Sequence, residues 1–85
     1  MTVLEFLNGS TNYLKGHGIE NPRLNAELLL AQSLKLSREQ LYTRFQTQIK
    51  QREKEALEKL IQRRVSGEPL QYILEHQEFW STDFK

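Results

Sequence analysis

Apolar residues recur every three or four positions over the first part of the chain, which is the spacing of one face of an α-helix. Thr2 and Glu5 stand three positions apart at its start and predict a capping box, in which each side chain accepts a hydrogen bond from the other residue's backbone amide. Gly16 and Gly18 predict its end, because glycine adopts the left-handed conformation beyond a helix at little cost. The predicted inner face contains Leu4, Leu7, Thr11 and Leu14, with Val3 and Phe6 beside it.

A second helix is predicted from Asn21-Pro22 onward, since asparagine suits the N-cap and proline the first helical position. Its apolar residues cover much of the helix circumference, which is typical of a helix that is buried on several sides. We therefore expect this helix to be the central one. The apolar residues are Leu24, Leu28, Leu29, Leu30, Ala31 and Leu34.

Two more helices are predicted in the middle of the chain. Ser37 and Gln40 repeat the capping-box spacing and open a short third helix. The fourth helix extends from about Gln48 to Ser66, a stretch without proline or glycine, and ends at Gly67. The third helix carries Leu41, Tyr42 and Phe45, and the apolar stripe of the fourth contains Ile49, Ala56, Leu57, Leu60, Ile61 and Val65.

The pattern changes after Pro69. Residues 69–74 fit either a fifth helix or a strand, and residues 78–85 favour a strand because they are rich in aromatic and β-branched residues. A single terminal strand leaves its backbone groups without a partner. We therefore expect the chain to be a domain of a longer protein.

The composition supports one small domain. The chain has 85 residues, of which 38% are apolar, and the longest apolar runs are too short to span a membrane. It contains no cysteine, which excludes disulfides, thiolate metal ligands and a cysteine nucleophile and is consistent with the cytoplasm. The predicted fold is therefore an all-α bundle of four or five helices.

The net charge of +1 conceals an uneven distribution. Residues 35–64 hold nine basic and four acidic residues, a net charge of +5, and the rest of the chain has a net charge of −4. A basic half is compatible with a free-standing helical module that binds nucleic acid. The acidic residues alternate with the basic ones, however, which favours an ordinary solvated helix surface and makes a nucleic-acid partner the less favoured interpretation.

Groups that carry chemistry are few. The chain contains no glycine-rich phosphate loop, and neither its two histidines nor its serines have the spacing of a metal site or a catalytic triad. We predict no catalytic, cofactor-binding or metal-binding residue. The candidates for binding a partner or another domain are the arginine pair at the end of the fourth helix and three of the C-terminal aromatic residues. The arginines have an alternative, structural role, since they complement the helix dipole and one could pair with a carboxylate such as Glu27. The five candidates are Arg63, Arg64, Tyr72, Phe79 and Trp80.

Three blocks of the sequence resemble a known family. Residues 21–30, N-P-R-L-N-A-E-L-L-L, resemble the P-R-L-D-A-E-L-L-L helix of the HemK/PrmC proteins. Residues 63–74, R-R-V-S-G-E-P-L-Q-Y-I-L, resemble their R-R-x-x-G-E-P-x-Q-Y-I segment, and residues 78–80, E-F-W, resemble the E-F-[YW] that follows. The chain departs from the family pattern in having Asn25 for aspartate, and Glu75 and Ser81 for glycine.

The resemblance implies a function that composition and spacing do not show. The family are protein-(glutamine-N5) methyltransferases, which use S-adenosylmethionine to methylate a glutamine of peptide-chain release factors. The glycine-rich and Asn-Pro-Pro-Tyr motifs of their catalytic domain do not occur in this chain. The resemblance therefore implies a helical domain over residues 1–74 that recognises the release factor. It also implies that residues 75–85 begin a linker hairpin to a catalytic domain, which would be a second partner. Shielding and orienting the catalytic domain is the alternative role.

Overall fold

The computed structural model describes residues 1–75, which form five α-helices and no β-strand. They are α1 (Val3–Gly16), α2 (Pro22–Ser33), α3 (Arg38–Tyr42), α4 (Gln51–Val65) and α5 (Leu70–Glu75). The predicted all-α bundle is confirmed, and α5 settles the choice between helix and strand for residues 69–74. The strand expected over residues 78–85, and with it the hairpin, lies outside the described residues.

Helix α2 is the centre of the bundle, since it contacts each of the other four helices. Leu29 and Leu30 are almost fully buried, and Ala26 and Ala31 bury the same inner side. Two of the leucines that the pattern places on the buried sides of α2 lie at its edge instead, since Leu24 is 37% exposed and Leu28 is only half-buried. The buried positions between them hold two polar residues instead, Asn25 and Glu27.

The start of the first helix is capped as its sequence predicts. The Thr2 amide donates to Glu5 Oε1 at 2.8 Å, and the Glu5 amide donates to Thr2 Oγ1 at 3.1 Å. Asn21 also occupies the predicted N-cap position of α2, but its side chain makes no capping hydrogen bond. Its backbone is left-handed, with φ at 51°, a conformation that asparagine tolerates better than most residues.

Helix α4 begins three residues later than the pattern predicts, at Gln51 instead of Gln48. Residues 47–49 are not helical, because their backbone pairs with the start of the chain around an antiparallel bridge between Thr2 and Gln48. The Val3 amide donates to the Thr47 carbonyl at 2.9 Å, and the Ile49 amide donates to the Met1 carbonyl at 2.8 Å. This long-range pairing outweighs the local helical preference.

Three helices are followed by a residue with a left-handed backbone. This conformation allows two backbone amides beyond the helix to donate hydrogen bonds to carbonyls of its last turn. Gly18 after α1 and Gly67 after α4 have φ values of 77° and 114°. The third such residue, after α2, is Lys35 with φ at 59°. The Leu36 amide donates to the Ala31 carbonyl at 2.8 Å, and the Lys35 amide donates to the Gln32 carbonyl at 3.2 Å.

Helix α3 is only five residues long, and it is shorter than predicted. Its capping box between Ser37 and Gln40 is present as expected. Phe45 lies beyond the end of the helix, half-buried, with its ring centroid 5.1 Å from that of Tyr42. None of the helices in the described part of the chain is long and apolar enough to cross a membrane.

Candidate partner-binding surfaces

Arg64 joins the end of α4 to the start of α2. Its Nε donates to Asn25 Oδ1 at 2.8 Å, and its Nη1 donates to the Glu68 carbonyl at 3.1 Å. Asn25 is 5% exposed, and its Nδ2 donates to the carbonyls of Glu20 and Asn21. Both amide atoms of Asn25 are therefore satisfied, and Arg64 fixes the turn that leads from α4 into α5.

Arg63 contacts the turn after α4 and the ring of Tyr72 in α5. Its guanidinium donates to Glu68 Oε1 from both Nε and Nη2 at 2.9 Å, and its Cζ lies 6.0 Å from the centroid of the Tyr72 ring. Tyr72 is 48% exposed. The structure thus brings two of the predicted site residues, Arg63 and Tyr72, together on one surface, whereas Phe79 and Trp80 lie outside the described residues.

Glu27 is a buried carboxylate surrounded by donors from α2 and α3. Arg23 Nε donates to Oε2 at 2.9 Å, and Arg38 Nη2 donates to Oε1 at 2.7 Å. The Tyr42 hydroxyl also donates to Oε2, at 2.8 Å. We call these four residues the Glu27 cluster. The cluster connects α3 to α2. The ion-pair partners of Glu27 are thus Arg23 and Arg38, and the arginine pair at the end of α4 does not reach it. Arg63 pairs with Glu68 instead.

Two effects oppose each other at the Glu27 carboxyl. Burial raises the pKa of Glu27, but the hydrogen bonds from its three partners lower it by more, so that its pKa lies below its ordinary value. The carboxylate therefore stays ionised at neutral pH, and its charge is matched by guanidinium groups that are about half exposed. Glu27 therefore acts as a structural anion that ties α3 to α2, and not as a proton donor at neutral pH.

A groove lies between α1 and α4, which run side by side in the same direction. It is broadly open to solvent and has a volume of about 950 Å³. Phe6 and Ile61 form its apolar floor, and Gly9 and Tyr13 line its α1 side. We call it the α1–α4 groove. Its α4 side is formed by Lys54, Glu55, Glu58, Lys59, Gln62 and Arg63.

Three of the nine basic residues of the 35–64 segment are paired with carboxylates. Arg38 pairs with Glu27, Lys54 pairs with Glu58 at 3.5 Å, and Arg63 pairs with Glu68. These ion pairs lower the positive potential that a nucleic-acid backbone would require. Among residues 1–75 there is also no group of three or more side chains that could hold a metal ion.

The sequence itself decides which family this fold represents. Residues 5–74 match the PrmC N-terminal domain. The chain belongs to this family. The match covers the helical bundle from the first turn of α1 to the last turn of α5.

Relatives of this PrmC N-terminal domain are much longer proteins. The release factor glutamine methyltransferase of Moorella thermoacetica is 39% identical over the whole of this chain, which spans 30% of the length of that relative. The protein of the same name from Geobacter sulfurreducens is 42% identical over 98% of the chain, which spans 29% of it. A bifunctional methyltransferase of Rickettsia bellii is 39% identical over 98% of the chain, which spans 15% of it. No solved structure matches the chain significantly.

Sequence reasoning missed the α1–α4 groove, although one signal for it was present. Gly9 lies in the middle of α1, where glycine is less favourable than alanine by about 1 kcal/mol, and it leaves this part of the α1 surface without a side chain. The roles of Asn25 and Glu27 were also missed, because the pattern marks the inner side of α2 as apolar. Polar residues at positions that should be buried are a sign of an internal hydrogen-bond network.

Proposed function

We propose that this PrmC N-terminal domain binds a peptide-chain release factor on behalf of a catalytic methyltransferase domain in the same longer protein. The observation that carries the proposal is the family match, together with relatives that are named release factor glutamine methyltransferases and are about three times as long as the chain. In such an arrangement the transfer of the methyl group from S-adenosylmethionine belongs to the catalytic domain. This domain supplies affinity for the substrate protein.

The chemistry of the described residues is consistent with a binding role. The buried carboxylate of the Glu27 cluster is neutralised by arginines, and the amide of Asn25 is fully hydrogen-bonded within the bundle. Neither is available to a reacting group. Arg63 and Tyr72 lie on one surface beside α5, and this surface contacts the release factor or the catalytic domain in the proposed arrangement. Arg64, Phe79 and Trp80 are the further candidates for the same contact.

Isothermal titration of the 85-residue chain with an unmethylated release factor tests the proposal. We expect saturable binding, and we expect no transfer of labelled methyl groups when S-adenosylmethionine is added to the mixture. If the chain fails to bind the release factor, the recognition role is wrong, and the domain only shields or orients its catalytic neighbour. If the chain transfers methyl groups by itself, the assignment of catalysis to another domain is wrong.

A salt titration separates this function from nucleic-acid binding. Binding to RNA would weaken steeply and log-linearly with salt concentration, because it releases counterions from the phosphates. We expect the chain to bind the release factor with a shallower salt dependence and to show no comparable affinity for an unstructured RNA oligomer. Tighter binding to the RNA than to the release factor would favour the nucleic-acid module instead.

A further inference from the structure

A second cavity lies where the end of α2 meets the start of α4. It has a volume of about 360 Å³, which is large enough for a small organic group. We call it the α2–α4 cleft. Its walls are formed by Ser33 and Leu34 at the end of α2, and by Lys50, Arg52, Glu53, Ala56 and Leu57 at the start of α4.

Ser33 brings an unpaired hydroxyl to the wall of this cleft. The residue is 2% exposed, and its Oγ forms no hydrogen bond with any of the described residues. A buried hydroxyl without a partner costs free energy, and such groups are rare in folded proteins. The side chain can turn about χ1 between staggered positions without a change in the backbone. A ligand in the cleft can therefore supply the missing partner.

The start of α4 makes the cleft electropositive. Lys50 is the N-cap residue, and its side chain has no acceptor for the first amides of the helix, unlike Thr2 of α1 and Ser37 of α3. The side chains of Lys50 and Arg52 are exposed, and neither forms an ion pair within residues 1–75. Their charges add to the positive end of the helix dipole.

The last turn of α2 opposes this charge only weakly. The amides of residues 34–36 donate to carbonyls of residues 30–32 at 2.8–3.2 Å, which reduces the negative potential of these carbonyls. Glu53, whose carboxylate accepts from the Lys50 amide at 3.1 Å, is the only acidic residue that lines the cleft. Two basic residues and one acidic residue leave the lining with a net charge of +1.

We infer that the α2–α4 cleft binds a carboxylate group carried on a short aliphatic chain. One carboxylate oxygen accepts from the Ser33 hydroxyl, and Lys50 and Arg52 balance the negative charge. Leu34 and Leu57 form the apolar wall on which the aliphatic chain packs. The site does not depend on the release-factor role, since its residues lie outside the surface beside α5.

Glu53 decides between a carboxylate and a phosphate. A phosphate dianion carries two negative charges and is repelled by the Glu53 carboxylate more strongly than a single charge is. A carboxylate carries one negative charge, which equals the net positive charge of the lining. A small organic acid and a glutamate side chain of another protein present this same group.

A nuclear magnetic resonance titration of the 85-residue chain with butyrate tests the site. We expect saturable shifts of the amides in residues 33–35 and 50–54, which butanol and sodium chloride at the same concentration do not produce. Inorganic phosphate should bind at least fivefold more weakly. Tighter binding of phosphate would show that the ligand class is wrong, and shifts that chloride reproduces would show that the cleft holds only water.

Ser33→Ala separates binding from stability. It removes a hydroxyl that has no partner in the fold, so the melting temperature should stay the same or rise. The Kd for butyrate should rise about tenfold, because a hydrogen bond to a charged group is lost. Ser10→Ala changes another buried serine, outside the cleft, and should leave the Kd within twofold. A lower melting temperature with an unchanged Kd would show that the hydroxyl serves only the fold, and would overturn the inference.

Two charge variants of α4 provide an independent test. Arg52→Gln and Lys59→Gln each remove one positive charge from the same helix, but only Arg52 lines the cleft. Arg52→Gln should raise the Kd for butyrate at least threefold, whereas Lys59→Gln should change it less than twofold. Equal effects would indicate a general attraction of anions and would contradict a defined site.

Blocked pentapeptides identify the source of the carboxylate. One peptide has a central glutamate, and its control has glutamine. Tighter binding of the glutamate peptide than of butyrate would assign the cleft to an acidic side chain of a protein partner, and weaker binding would assign it to a free organic acid. Both results support a carboxylate site, whereas equal binding of the glutamine peptide would overturn it.

Discussion

Asn25 and Arg64 are 39 positions apart in the chain, and the Asn25 side-chain oxygen accepts a hydrogen bond of 2.8 Å from the Arg64 guanidinium. Asn25 is buried near the start of α2, and Arg64 is half-buried near the end of α4. Helices α2 and α4 are separated in the chain by α3, and this contact holds them together. It places the turn after α4, and hence α5, at a fixed position on α2.

A double-mutant cycle measures this contact. We expect Asn25→Ala to lower the free energy of unfolding by about 2–3 kcal/mol, since it removes the partner of Arg64 and two hydrogen bonds to backbone carbonyls. The cycle with Arg64→Met should give a coupling energy of about 1–2 kcal/mol in urea denaturation. The exposed pair Gln51 and Glu55, also hydrogen-bonded, is the control and should couple by less than about 0.5 kcal/mol. Equal coupling in the two cycles would contradict the importance of the Asn25–Arg64 contact.

The left-handed conformation of Lys35 predicts that glycine is better at this position. Lys35→Gly should raise the free energy of unfolding by about 1 kcal/mol, because glycine adopts a positive φ without the steric cost that a side chain imposes. In a domain of this size the melting temperature should rise by about 4–8 °C. Lys35→Ala is the matched control, since it removes the lysine side chain and retains the cost. The prediction fails if the alanine and glycine variants melt at the same temperature.

Acid should weaken the contribution of the Glu27 cluster to stability. The pKa of Glu27 is lowered in the folded protein, so the stabilisation is complete above the unfolded pKa of about 4.3 and is lost as the pH falls through the folded value. Glu27→Gln should cost about 2 kcal/mol at pH 7, and this difference from wild type should shrink below about pH 4.3. Thermal melts between pH 3 and pH 7 provide the measurement. A difference that is constant over this range would show that the charge of Glu27 contributes nothing.

Glu58→Gln is the control for that experiment. Glu58 pairs with Lys54 at 3.5 Å, and its side chain is 53% exposed, so the pair is worth less than about 0.5 kcal/mol. Its loss should leave the pH profile of stability close to that of the wild type. A loss as large as that of Glu27→Gln would mean that the general charge balance, and not the buried cluster, sets the response to acid.

Two leucines distinguish the buried core from its edge. Leu60 is 2% exposed, whereas Leu28 is only half-buried. Leu60→Ala should cost about 2–5 kcal/mol because it leaves a cavity between the helices, and for a domain of this size that approaches the whole stability. Leu28→Ala should cost clearly less. Denaturant unfolding of the two variants tests the order, and a larger loss at Leu28 would show that the core is centred elsewhere.

The sequence predicted those parts of the fold that short-range signals determine. The capping box of Thr2 and Glu5 and the helix ends at Gly18 and Gly67 depend on residues within one or two turns, so they could be identified without the structure. The motifs that resemble the HemK/PrmC proteins are also short and local, so the sequence alone could identify the family. The family match confirms it.

The features that were missed depend on residues far apart in the chain. The start of α4 is shifted because residues 47–49 pair with residues 1–3, and no local pattern records that pairing. The partner of Arg64 is an amide 39 positions away, whereas the expectation had been a carboxylate. The left-handed Lys35 is an exception, since its turn is local but lysine at a positive φ carries no compositional signal.

The pairing of residues 1–3 with residues 47–49 also has a consequence for the order of folding during synthesis. At about 5–20 residues per second, the ribosome delivers the second segment about 2–9 s after the first. Until then the main packing partner of α1 is α2, which follows it directly and contacts it in the finished fold. We therefore expect a nascent hairpin of α1 and α2 to form first, exposing Phe6 and its neighbours to chaperones. The Ile49 amide can then reach the carbonyl of Met1, and the bundle closes after α4 and α5 have followed.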